Sequence, residues 1–157
     1  MKYFYYYKFP FCNLGIAEKD HAISNVYFDE EYEPKGYEKF ESPLIIKAAG
    51  QLEEYFKGKL KTFDLPLTFH GTQFKVQVWE TVLTIPYGET RSYGEVAKMI
   101  ENPKASQAVG RANHTNQIAI IVPCHRVIGH DGSLVGYAGG LELKQKLLKE
   151  KGSGGCA

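Results

Sequence analysis

The stretch Ile118-Ala119-Ile120-Ile121-Val122-Pro123-Cys124-His125-Arg126-Val127-Ile128-Gly129 decides how this chain is read. Its first five residues are aliphatic, mostly β-branched and uncharged, the composition of a short buried strand. Pro123 ends that run, so Cys124 is expected where a rigid element stops. A cysteine in apolar surroundings is ordinarily inert, because burial favours the thiol. It becomes a nucleophile only where a base or a positive field favours the thiolate. His125 is the nearest base. Neighbouring residues of an extended chain point to opposite faces, so in that geometry the two side chains would communicate through a bridging water.

Upstream of this stretch the apolar positions recur with helical spacing. Tyr93, Val96, Ala97 and Ile100 share one face, Ala105, Ala108, Val109 and Ala112 share another, and Glu101-Asn102-Pro103-Lys104 forms the turn between them. Two short amphipathic helices around a tight turn have the shape of a helix-turn-helix, although the same pattern suits an ordinary helix pair packed on a core. The outward face of the second helix offers Ser106, Gln107, Gly110, Arg111, Asn113 and His114. Small residues there let a backbone approach a groove wall, and one long side chain can enter a base stack. Before the pair, Thr72 caps a helix carrying Phe74, Val78 and Val82, which Pro86-Tyr87-Gly88 ends. Further back, Ser42 and Pro43 start a helix with Ile45, Ala48, Ala49, Leu52 and Phe56 on one face, stopped by Gly58. Residues 1–40 read as short strands: the aromatic opening, Leu14-Gly15-Ile16-Ala17, and Ala22 to Phe28, with Glu18-Lys19-Asp20 as a turn. The acidic Asp29-Glu30-Glu31 is a solvated loop.

The expected fold is therefore α+β. A small N-terminal sheet with a helix spans 1–65, a mainly helical domain with the helix-turn-helix and a short buried active-site strand spans 66–152, and 153–157 is a flexible tail carrying the bystander Cys156. Hydrophobic content of 43% and charge of 24% place the chain among globular proteins rather than disordered ones. No apolar run approaches the roughly 20 residues that span a bilayer, and the opening Met1 to Tyr7 lacks the features of a signal peptide, so a cytoplasmic protein without membrane contact is expected. Three cysteines without paired spacing argue against a disulfide framework and a C-x-x-C zinc site. Cys12 and His21 lack companions for a four-ligand set, and neither a metal nor a cofactor is expected. Up to Leu65 the chain holds 9 Lys+Arg against 11 Asp+Glu, and beyond it 10 against 7, so the basic excess lies with the cysteine motif. That asymmetry suits a small phosphate footprint.

Several short motifs in a fixed order carry a resemblance to a known family. They are Gly71-Thr72-Gln73-Phe74, Val78-Trp79, Ile85-Pro86-Tyr87-Gly88-Glu89-Thr90, Asn116 eight residues before the cysteine, the block Pro123 to Ile128, and Gly136-Tyr137-Ala138-Gly139-Gly140. From about Gln51 to Leu148 the chain resembles the O6-alkylguanine-DNA alkyltransferases. The resemblance implies direct-reversal DNA repair by a monomer acting on double-stranded DNA that contains O6-alkylguanine, with O4-alkylthymine as a second lesion. The helix pair would lie in the minor groove, and the damaged nucleotide would be rotated out of the duplex. Cys124 would take the alkyl group irreversibly in a single-turnover suicide reaction. His125 would act on it through water, Asn116 would brace the turn, and Tyr93 would give a proton to N3 of the leaving base. Ser92, Tyr93, Ala105, Ser106, Gln107, Arg111 and Asn113 would contact DNA. Val127, Gly136, Tyr137, Ala138 and Gly139 would form the pocket, the glycines serving either close backbone approach or turns. Arg126 would tie loops together through carboxylates.

Two positions depart from that family's pattern. Its usual helix-borne arginine, which fills the hole left by the flipped base, is Gln107 here. Arg111 stands four residues later on the same face, so either Arg111 or the Gln107 amide would fill the gap. The family's usual relay glutamate, 27 residues after the cysteine, is Lys151. Glu150 is adjacent but rotated by roughly 100° on a regular helix. These departures leave two other readings open: a lesion-recognition protein that transfers weakly or not at all and recruits another pathway, and a Cys-His hydrolase or thiol-redox enzyme.

Overall fold

A computed structural model describes residues 1–10, 12–28 and 31–129. The described residues form two compact units, one made of Met1–His70 with Gln117–Ile121, the other of Gly71–Asn116 with residues 122–129. The division falls after His70, later than Leu65, and a five-residue piece of the apolar run returns to the first unit.

In the first unit, strands β1 (Lys2–Lys8), β2 (Asn13–Lys19), β3 (Ala22–Tyr27) and β4 (Glu38–Lys39) form one sheet in the order β3-β2-β1-β4. The first three are antiparallel neighbours and β4 runs parallel to β1. The turn between β2 and β3 is Asp20-His21, both with positive φ of 52° and 68°. This matches the twist of the flanking strands, and it places Lys19 in the ladder opposite Ala22 rather than in the turn. A register shift at Ala17/Glu18 accompanies the burial of Glu18, which is 3% exposed.

Helix α1 (Pro43–Phe56) begins as its sequence dictates. Ser42 Oγ accepts from Ile45 N at 3.2 Å, which satisfies one of the unpaired amides of the first turn. Its hydroxyl in turn donates to the buried carboxylate of Glu18. Ile45, Ala48, Ala49, Leu52 and Phe56 are all buried, joined by Tyr55, and Gly58 adopts φ +76° where the helix closes. With Phe4, Leu14, Ile16, Ile23 and Val26 they make the core of this unit.

The run Ile118 to Val122 is buried throughout, yet it is not a regular strand. Ile118 makes an isolated parallel bridge with Val26, and Ala119 N donates to Val26 O at 3.0 Å. The chain then bends tightly: Ile120 has φ +69°, and Ile121 N donates back to Ala119 O at 2.7 Å. A β-branched residue in that region is costly, of order 1–3 kcal/mol, and persists only where its surroundings over-determine it. The short buried strand at the cysteine is instead Val127–Ile128, on its far side.

The second unit holds α2 (Gln73–Val82), β5 (Arg91–Ser92), α3 (Tyr93–Met99), α4 (Ser106–His114), a single 3₁₀ turn (Cys124–Arg126) and β6 (Val127–Ile128). Thr72 caps α2 through Lys75 N at 3.2 Å, and Val78, Trp79 and Val82 are its buried residues. Phe74 is only half-buried. Trp79 Nε1 donates to Ala112 O at 2.8 Å, satisfying a last-turn carbonyl of α4 and holding the two helices together. Ser92 and Glu95 form a capping box at the start of α3. Its end is a Schellman motif, with Asn102 N on Ala97 O, Glu101 N on Lys98 O, and Glu101 at φ +60°. Helices α3 and α4 are thus the expected pair, though α4 starts at Ser106, leaving Ala105 as its cap.

Replacing Ser42 by alanine removes the helix cap and a partner of the buried Glu18 carboxylate together. It is expected to cost about 1–3 kcal/mol, read as a lower urea midpoint with unchanged m-value. A loss within a few tenths of a kcal/mol would show that neither bond matters.

Candidate active site

Cys124 is held at three points within the second unit. Pro123, at φ −79° and ψ 60°, forms an inverse γ-turn, which brings Cys124 N to Val122 O at 2.7 Å. The Cys124 carbonyl accepts from Asn113 Nδ2 at 3.2 Å. The sulfur accepts from Asn116 Nδ2 at 3.2 Å, and the same amide nitrogen donates to Val122 O at 3.1 Å. Asn116 thus braces the turn and also donates to the thiol directly. Cys124 is 2% exposed. Burial disfavours a thiolate, whereas an N–H aimed at sulfur favours it; the two oppose each other at this atom.

His125 is 1% exposed and sits in the same 3₁₀ turn. The chain here is not extended, so Cys124 and His125 do not point to opposite faces. Three residues per turn put successive side chains about 120° apart, and the two still diverge. Arg126 is buried. Its Nη1 donates to Ile85 O at 2.8 Å, and its guanidinium lies 5.6 Å from the centre of the Tyr87 ring. Arg126 therefore ties the turn to the loop after α2 through a carbonyl and a cation–π contact.

Parallel pairing of β5 with β6, Arg91 opposite Val127 and Ser92 opposite Ile128, sets Tyr93 and the cysteine turn in one frame. Tyr93, the first residue of α3, is half-buried. Burial above all pushes its phenol above the ordinary value, negative charge on Cys124 pushes the same way, and the side-chain hydrogen bond with Asn113 draws it back. The net upward shift keeps the phenol protonated beyond pH 10, which makes it a donor rather than a base.

Tyr93 also lines a concavity of about 720 Å³ with Lys75, Gln107, Gly110, Arg111, His114 and Thr115. Gln107 and Arg111 are exposed on α4 and open onto the same space. A side chain on Gly110 would lie 3.9 Å from the Tyr93 ring. Ser106 and Ala105 are half-buried, and the Ser92 hydroxyl is committed to its capping box. Asn113 departs most from expectation: assigned to the outward face, it is 2% exposed and turned to Cys124. His114 belongs to the outward face the sequence assigned, whereas Lys75 and Thr115 were not expected as lining residues; nothing in the sequence brings Lys75 of α2 beside α4. Val127 is fully buried in β6. Gly136, Tyr137, Ala138, Gly139, Glu150 and Lys151 lie outside the described residues. Among the described residues no three His, Cys, Asp or Glu side chains group as metal ligands.

Comparison with known proteins places this arrangement. Residues 73–153 match the DNA binding domain of 6-O-methylguanine DNA methyltransferase, and residues 2–69 match its ribonuclease-like domain. A methylated-DNA–protein-cysteine methyltransferase of Methanosarcina acetivorans is 48% identical, over 96% of this chain and 99% of that one. One of the same name from Mycobacterium leprae is 52% identical over 89% and 86%. The crystal structure of Mycobacterium tuberculosis OGT in complex with DNA superposes with a TM-score of 0.89 at 43% identity, covering 96% of this chain and 93% of the other.

Asn116→Ala removes the donor to sulfur. Alkylation of Cys124 by iodoacetamide at pH 7 is expected to slow by about tenfold or more, the equivalent of one hydrogen bond to a charged group. An unchanged rate would mean that this contact does nothing for the thiolate.

Proposed function

We propose that this chain, which belongs to the 6-O-methylguanine DNA methyltransferase family, repairs duplex DNA by moving the alkyl group of O6-alkylguanine onto Cys124. The observation that carries the proposal is the buried Cys124 sulfur, which accepts an N–H from Asn116 at 3.2 Å in one frame with a protonated Tyr93. The names of the Methanosarcina and Mycobacterium leprae relatives describe the same transfer.

The lesion atom is out of reach inside a base stack, so the nucleotide must leave the duplex. The face of α4 that carries Gln107 and Arg111 takes the minor groove, and Lys75, Arg111 and His114 supply donors for phosphates around the concavity. Gln107 or Arg111 fills the place of the expelled base. The proton of Cys124 passes to His125 through water, and the sulfur electron pair forms a bond to the alkyl carbon. The carbon–O6 bond breaks, its electron pair moves into the purine, and Tyr93 gives the proton that neutralises it at N3. The proton held by His125 returns through solvent to the Tyr93 phenolate, so that the net change is one proton lost by the thiol and one gained by the base. The product thioether is stable to thiols, so each molecule acts once.

O4-alkylthymine presents the same exocyclic alkoxy group and is a second substrate on this reading. One chain supplies every group named, so the active species is a monomer. No helix among the described residues is long and apolar enough to cross a membrane.

The test follows guanine restored in an O6-methylguanine duplex under single-turnover conditions. Cys124→Ala is expected to restore none, and Tyr93→Phe to lose about 100-fold. The wild-type rate should hold through pH 9, because the raised phenol stays protonated there, and fall only at higher pH; Tyr93→Phe should lack that fall. Binding without any restored guanine would replace transfer by recognition alone. Arg111→Ala weakening lesion binding more than Gln107→Ala would identify Arg111 as the gap-filler, and the opposite order would identify Gln107.

A further inference from the structure

We infer that Asn113 is a positioning residue that fixes the Cys124 turn to helix α4 through the Cys124 carbonyl, and that it does so without stabilising the fold. The inference rests on the alkyl-transfer reading above and deepens it, by naming what ties the sulfur to the helix whose outer face meets DNA.

The position is a poor one for a polar side chain. Asn113 lies four residues after Val109 and one after Ala112 on the apolar stripe of α4, and all three are buried. Its Nδ2 donates to the Cys124 carbonyl at 3.2 Å. The direction of the amide is dictated, since a carbonyl can only accept and the flipped amide would set two acceptors against each other. Oδ1 is then buried with no hydrogen-bond partner among the described residues. A buried acceptor without a donor opposes folding by about as much as one good hydrogen bond supports it, so the two halves of this side chain cancel. The carbonyl does not depend on Asn113 either, because Val127 N donates to the same oxygen. Local stability gives no reason for an amide here.

The geometry of the bond does give one. The Val127 bond joins neighbours and sets the shape of the 3₁₀ turn, whereas the Asn113 bond ties that turn to a separate element, 11 residues earlier in the chain. The preceding residue, Ala112, accepts at its carbonyl from Trp79 Nε1 at 2.8 Å. The last turn of α4 is therefore held to α2 by one residue and to the cysteine by the next. Asn116, three residues on from Asn113, donates to the sulfur and to Val122 O. Two amides thus grip the cysteine, one at its carbonyl and one at its sulfur. Only Asn116 touches the reacting atom. Asn113 sets where that atom stands relative to α4, and hence relative to a base presented by DNA bound on α4. A displacement at carbon needs the sulfur in line with the breaking bond, so a shift of about 1 Å lowers the rate without changing the ionisation of the thiol.

Leucine has the branching and heavy-atom count of asparagine and lacks both polar groups, so Asn113→Leu removes the bond and the buried acceptor together. Three measurements on the full-length protein read the result. Single-turnover transfer from an O6-methylguanine duplex at saturating DNA should slow by about tenfold or more, with lesion-duplex affinity within about twofold of wild type. Alkylation of Cys124 by iodoacetamide at pH 7 should stay within about twofold, because the Asn116 N–H still meets the sulfur and a small reagent chooses its own approach. The urea midpoint should equal or exceed that of wild type. A side chain that only packed would give the reverse, a lower midpoint with faster alkylation as the turn opens. The slowing of transfer should be undiminished in a Tyr93→Phe background, since the bond runs to the cysteine and not to the phenol. Unchanged transfer, a loss confined to affinity, or transfer that falls together with the urea midpoint would overturn the inference. Should Asn113→Leu fail to fold, Asn113→Ala is carried through the transfer and alkylation measurements with the same expected results. If wild type itself transfers nothing, the functional reading fails and this inference with it; if wild type transfers and the variant keeps pace, only the role of Asn113 fails.

Discussion

The rest of the site depends on the immobilisation of Cys124. Its amide, carbonyl and sulfur each meet a fixed partner, Val122 O, Asn113 Nδ2 and Asn116 Nδ2. A displacement at carbon needs the sulfur in line with the bond that breaks, and a side chain free to choose rotamers would spend much of its time elsewhere. The cost of this arrangement is desolvation of the thiolate, offset at the sulfur by the Asn116 N–H. The parallel pair of β5 and β6 extends the same constraint to Tyr93, which directly follows Ser92. Cys124 and Tyr93 stand 31 residues apart in the sequence, and one strand pair of two residue pairs joins their backbones.

Much of the fold was legible in the sequence wherever local physics decides it. Ser42-Pro43 and Gly58 bound α1, and its 3.6-residue period identified five of its six buried residues. Thr72 marks the start of α2, whereas the Ser92–Glu95 capping box that starts α3 was not read. The run Ile118 to Val122 was read correctly as buried and incorrectly as a strand. β-branched composition reports burial, and a tight bend at Ile120 leaves no mark on it. The turn after β2 was misplaced for a similar reason, since Asp20-His21 lacks the glycine that usually signals two positive φ values.

The site was legible in its identities and less so in its contacts. Cys124, Asn116 and Tyr93 are brought together, and Gln107 and Arg111 share one concavity. Asn113 was assigned to the outer face because it is polar, although its spacing from Val109 and Ala112 places it on the buried stripe. Periodicity should have outweighed polarity there. Arg126 meets the Ile85 carbonyl and the Tyr87 ring, contacts that depend on where the loop carrying those residues folds and that no local pattern encodes. Arg111 stands one turn after Gln107 on α4, and both open onto that concavity.

The most direct measurement is peptide mass spectrometry of the protein after incubation with a duplex carrying one O6-methylguanine, with methyl groups counted per protein molecule. The account predicts one methyl on the peptide holding Cys124, rising to one equivalent and no further however long DNA is supplied. Methyl-free Cys124 after the lesion has been bound to saturation, or a methyl on Cys12 or Cys156 instead, would contradict it.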